Sequence, residues 1–123
     1  MKVKCISNKT DNFEYDITKG KIYCAMGMTV NLSNGEVEFW IINNHGNYFF
    51  SMPSTLFEIT DSSVSKYWSV KFDRGYFSMS HKDFLEPYFF DDLTDFEEKS
   101  VATFKRISHM IESEKNADTS SHS

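Results

Sequence analysis

Residue types and spacing first suggest chemistry between Glu86 and Glu98. Glu86, Asp91, Asp92, Asp95, Glu97 and Glu98 occur there without any Lys or Arg, interleaved with Tyr88, Phe89, Phe90 and Phe96. Carboxylates spread along a surface can meet a basic cleft or imitate nucleic-acid phosphates, and adjacent rings supply the desolvated anchors that concentrate binding energy. Glu86, Tyr88, Asp91, Asp92, Asp95 and Glu98 are therefore the candidate partner-binding residues, and the expected partner is a basic protein. An ordinary structural account competes with this one, because acids also gather at helix starts and phenylalanines also fill cores. No loop with EF-hand ligand spacing follows Asp91 and Asp92, so calcium is not expected there.

A second set of rings, Tyr23, Trp40, Tyr48, Tyr67 and Trp68, is the alternative site. Exposed on a barrel, such rings would hold a proline-rich peptide or stack single-stranded bases. No Lys/Arg track accompanies them, so direct nucleic-acid binding is not expected, and rings of this kind also serve as core. Catalytic candidates are fewer: His45, in Asn43-Asn44-His45-Gly46, as a general base, and Cys5 or Cys24 as nucleophiles. His45 equally fills a tight turn, and both cysteines lie in strand patterns that bury small apolar groups as reduced thiols. The four histidines are scattered, and no glycine-rich phosphate loop, nucleophile elbow or metal-ligand pair is present. The chain is expected to be no enzyme, with no catalytic residue, metal or cofactor.

The elements that must position these residues are mostly strands. Val3 and Cys5 alternate with Lys2, Lys4 and Ser7, and a turn at Asp16-Ile17-Thr18-Lys19-Gly20 launches a strand over Lys21 to Met26. Asn34-Gly35 carries the signal of a type I′ hairpin and leads into a strand from Glu36 to Asn43. Asn44-His45-Gly46 turns again, Tyr48-Phe49-Phe50 is extended, and Pro53-Ser54-Thr55 is a tight turn before Leu56-Phe57-Glu58-Ile59. After a polar stretch over 61–66, Tyr67 to Phe72 and Tyr76 to Met79 form a second ribbon, with Trp68, Val70 and Phe72 on one face. This ribbon is expected to extend or pack on the first sheet. Thr94-Asp95-Phe96-Glu97 is a capping-box sequence that predicts a helix start, and Phe104, Ile107 and Ile111 form its apolar stripe. Residues 116–123 are expected to be a disordered tail.

The order of these elements, with "Ile-Thr-Lys-Gly-Lys-Ile-Tyr" at residues 17–23 and the closing "Leu-Phe-Glu-Ile" at 56–59, resembles the small SH3-like β-barrel proteins encoded by phages, prophages and their bacterial hosts. The resemblance covers residues 1–60 and implies a bacterial or phage setting and a binding role, without implying any active residue. The expected fold is mainly β (α+β): an SH3-like small barrel over 1–60, extended by a second β-ribbon, with one C-terminal α-helix packed on the sheet. Residues 61–115, the ribbon and helix, are expected to pack as one unit with the barrel.

Charge is uneven along the chain. Residues 1–60 hold five Lys against six acids, whereas residues 61–123 hold eight basic residues against twelve acids. An acidic second half disfavours nonspecific binding to phosphate backbones and attracts a basic partner at long range. The first residues enter a strand pattern at once, and no segment approaches the roughly 20 apolar residues that span a bilayer, so a cytoplasmic location without membrane contact is expected. Together these features point to an acidic, non-enzymatic inhibitor of the immunity or anti-defence type. The alternatives are an SH3-like module binding peptide or nucleic acid through its rings, and a component that self-associates through unpaired strand edges.

Overall fold

Alternation of period two decides which side chains of each strand face inward, and in the first strand, β1 (Lys2–Cys5), Val3 and Cys5 are buried while both lysines are exposed. The structure, a computed structural model, describes residues 1–114. The stretch 116–123, expected as a tail, lies outside the described residues. Seven more strands follow: β2 (Ile22–Cys24), β3 (Gly27–Asn31), β4 (Val37–Ile42), β5 (Phe49–Pro53), β6 (Phe57–Asp61), β7 (Trp68–Asp73) and β8 (Tyr76–His81). Two helices close the described chain, α1 (Phe89–Thr94) and α2 (Glu98–Ser113).

The strands form two antiparallel sheets, one in the order β2-β1-β6 and one in the order β5-β4-β3-β8-β7. They do not close into a barrel over residues 1–60. The ladder breaks at Ala25 and Met26, where the chain crosses between sheets, and the 3-10 turn Ser54–Leu56 parts β5 from β6. Ala25 joins one core and Met26 the other. The second ribbon extends the larger sheet, because β8 pairs with β3 from Gly27↔Ser80 to Asn31↔Tyr76.

Register sorts the larger sheet into two faces. Phe39, Ile41 and Met52 lie on one face and pack with Val3, Cys5, Tyr23, Leu56 and Phe57 against the smaller sheet. Phe49, on the other face, packs with Phe84, Phe89, Leu93 and the Phe104/Ile107/Ile111 stripe of α2. The larger sheet is thus the middle of three layers, buried on both sides over β4 and β5.

Two local expectations are corrected. Between β3 and β4 only Gly35 has positive φ, and Asn34 Oδ1 accepts the Glu36 N–H at 2.9 Å, so the connection is a longer loop and not a type I′ turn. Left-handed backbone at two successive turn residues occurs instead at Arg74-Gly75, between β7 and β8. The capping box at Thr94 does not form either. Thr94 ends α1, its hydroxyl donates to the Asp91 carbonyl, and α2 starts at Glu98 with no side-chain cap. The reason is the αα corner at Phe96, which turns the chain left-handed and leaves Thr94 on the wrong side of the break.

Candidate protein-binding surface

Phe89 and Leu93, one helical turn apart, are buried against the sheet and fix α1 in place. The residues around them are left outside. Tyr88 is 77% exposed and Phe96 63% exposed, while Asp91, Asp92, Asp95, Glu97 and Glu98 all face solvent. Among the described residues none of these carboxylates, nor Glu86, takes part in an ion pair.

Both exposed rings sit on left-handed backbone, Tyr88 at φ +68° and Phe96 at φ +58°. Phe96 occupies the position where helix ends usually place glycine: its N–H donates to the Leu93 carbonyl and the Glu97 N–H to the Asp92 carbonyl, both at 3.0 Å. An L-residue pays for this conformation with roughly 1–2 kcal/mol of steric cost. Two such residues flank a six-residue helix, each aiming a ring at water.

The surface continues beyond the segment that sequence reasoning singled out. Phe90 meets Tyr48 and Phe50 at ring distances of 6.3 and 6.0 Å. Phe50 in turn lines a cavity of about 210 Å³ with Phe13, Glu14, Tyr15, Asp16 and Met52. Phe13 stands edge-on to Tyr15 at 4.6 Å. The loop that carries these rings is held against the β4–β5 turn, since the Asn44 N–H donates to the Asp16 carbonyl at 2.9 Å and Tyr23 Oη donates to Asn44 Oδ1 at 2.8 Å. Two carboxylates stand beside these rings, Glu14 and Asp16, and that of Asp16 is already paired with His45 Nδ1. Glu86 lies apart from this cavity, in a depression beside Val70 and Lys71 of β7.

The alternative ring set does not gather on one exposed groove. Tyr23 is buried in the core between the sheets, with its hydroxyl accepting the Thr18 N–H. Trp40 stacks on Phe49 at 5.3 Å and donates Nε1–H to Thr29 Oγ1, and Tyr48, Tyr67 and Trp68 pack half-buried against the helical core.

His45 is exposed and its Nδ1 pairs with the Asp16 carboxylate, but no hydroxyl or thiol bonds to the imidazole among the described residues. Cys5 and Cys24 are free thiols, and burial pushes both above the ordinary thiol range, which disfavours the nucleophilic thiolate. No three His, Cys, Asp or Glu side chains come together as a metal site among the described residues, and none of those helices is long and apolar enough to cross a membrane. No protein-family model, curated protein or solved structure matches this chain.

Proposed function

We propose that the chain is a non-enzymatic, acidic protein-binding factor in a bacterial or phage setting, an inhibitor of the immunity or anti-defence type that covers a basic surface of its partner. The observation that carries this reading is the exposure of Tyr88 and Phe96 on left-handed backbone around the unpaired carboxylates Asp91, Asp92 and Asp95. Strained backbone that presents a ring to water is retained at sites of function more readily than at sites of mere packing. The cavity behind Phe50 extends the same surface and would take a lysine or arginine side chain of the partner. Residues 1–60 keep the strand succession of the SH3-like resemblance, with the 3-10 turn Ser54–Leu56 following Pro53, but their strands lie in two sheets and do not close as a barrel.

The test is charge reversal. Wild-type protein is offered as bait to a nuclease-treated bacterial lysate, beside the triple variant Asp91→Lys, Asp92→Lys, Asp95→Lys, with circular dichroism confirming that both are folded. A basic protein retained by the wild type at low salt, released at high salt and lost by the variant is the expected outcome. Equal retention by the two would overturn the proposal.

A further inference from the structure

Strand β7 is an edge strand whose apolar face is left uncovered. It pairs with β8 only, and among the described residues its one other backbone bond runs from the Trp68 N–H to the Ser65 carbonyl. Val70 is 60% exposed and Phe72 68% exposed on the face away from the helices, and Phe72 meets Phe77 of β8 edge-on at 6.4 Å. Edge strands of this kind template further pairing unless something blocks them, and a lysine in the strand is the usual block. Here Lys71 is that residue, and the sequence around it supplies the charge that would neutralise it.

We infer that β7 pairs with β7 of a second copy of this chain, antiparallel about a twofold axis at Phe72, joining two five-stranded sheets into one. Residues opposite one another in an antiparallel pair share a face, so only registers centred on a residue keep apolar side chains together. Centring on Lys71 sets two ammonium groups against each other, and centring on Val70 leaves Lys71 opposite Ser69 with no charge partner. Centring on Phe72 sets each Lys71 opposite Asp73 of the other copy, twice by symmetry, and brings the two Phe72 rings together on the apolar face. The Asp73 carboxylate, which lies 3.8 Å from Arg74 Nε in an exposed pair, takes the incoming ammonium as a second partner. Val70 falls opposite Arg74 of the turn, so the pairing is confined to residues 71–73. Lys71 Nζ already donates to the Leu85 carbonyl at 3.0 Å, and an ammonium has two further donors to give. The ladder is short, so the dimer is concentration-dependent and transient.

Sedimentation or light scattering of the full chain, from micromolar to millimolar concentration, reads the association directly. The mass should rise from 14.4 kDa toward twice that value and fall back in high salt. Lys71→Asp and Asp73→Lys, each of which opposes like charges across the twofold, should each stay monomeric throughout. The double variant Lys71→Asp/Asp73→Lys should dimerise again, and an equimolar mixture of the two single variants should form a heterodimer. Circular dichroism confirms that each variant is folded. A wild type that remains monomeric at every concentration overturns the pairing, and so does a double variant or a mixture that fails to recover it. Phe72→Lys provides a second arm: dimerisation undiminished by it would place the contact elsewhere and equally overturn the inference.

Discussion

Phe96 holds a conformation that glycine adopts without steric cost, yet the chain keeps a large ring there and leaves it in water. Replacing it with glycine removes the clash between Cβ and the following carbonyl, and sacrifices little packing because the ring is outside both cores. Part of the gain is offset by the greater freedom of glycine in the unfolded chain. Phe96→Gly is therefore predicted to stabilise the fold by about 1 kcal/mol, seen as a higher urea midpoint with an unchanged slope. In the lysate capture the same variant should lose most of the partner that the wild type retains. A variant both more stable and equally well bound would show Phe96 to be a structural accident. The opposite movement of stability and binding separates a docking ring from a packing ring, which no alanine substitution in the core can do.

At the scale of elements, Gly27 governs how closely three strands approach. It sits in β3 between β4 and β8, and a Cβ placed there would lie 2.7 Å from the Met79 carbonyl oxygen, 2.7 Å from the Trp40 ring and 2.8 Å from the Ser80 Cβ. Two of these neighbours cannot swing away, so β8 and its ribbon must shift. Gly27→Ala is predicted to cost about 2 kcal/mol, read as a lower urea midpoint, whereas Gly46→Ala has open space at the Cβ and pays only for its left-handed backbone. The strands themselves were legible in the sequence, because alternation in Val3/Cys5 and in Trp68/Val70/Phe72, together with glycine at the turns, reports on neighbours close along the chain. The α2 stripe was legible for the same reason. The short helix α1 was not, since six residues with two buried side chains give too little period to read, and its left-handed exit at Phe96 overrode the local capping signal at Thr94. The acidic-aromatic character of 86–98 could be read directly, but the cavity beside it could not. Its rings come from Phe13, Tyr15 and Phe50, which only the folding of the 6–21 loop onto the β4–β5 turn brings together.

For the molecule as a whole, the larger sheet has two distant edges: Phe50 of β5 meets Phe90 of α1 at one, and β7 forms the other. The helical layer is tied to this sheet where β8 ends. His81 is buried there, its Nδ1 accepts the Asp83 N–H at 3.0 Å, and the Asp83 carboxylate lies 3.7 Å from Arg106 of α2. That backbone bond needs an unprotonated Nδ1. Burial holds the imidazole below its ordinary value; the Asp83 carboxylate opposes this, while Arg106 and Lys82 add to it. A histidine depressed in the folded state binds its proton more readily when unfolded, so stability should decline as pH falls through the unfolded value of about 6.5 and level off below the folded one. His81→Asn keeps an acceptor at the Nδ1 position and removes the titration. Urea midpoints measured between neutral and mildly acidic pH should fall more steeply for the wild type than for this variant, the difference reporting His81 alone because His45, His109 and His122 are common to both. Parallel curves would mean that the imidazole is accommodated in its charged form, with Asp83 outweighing burial, and that the junction between sheet and helices does not depend on protonation.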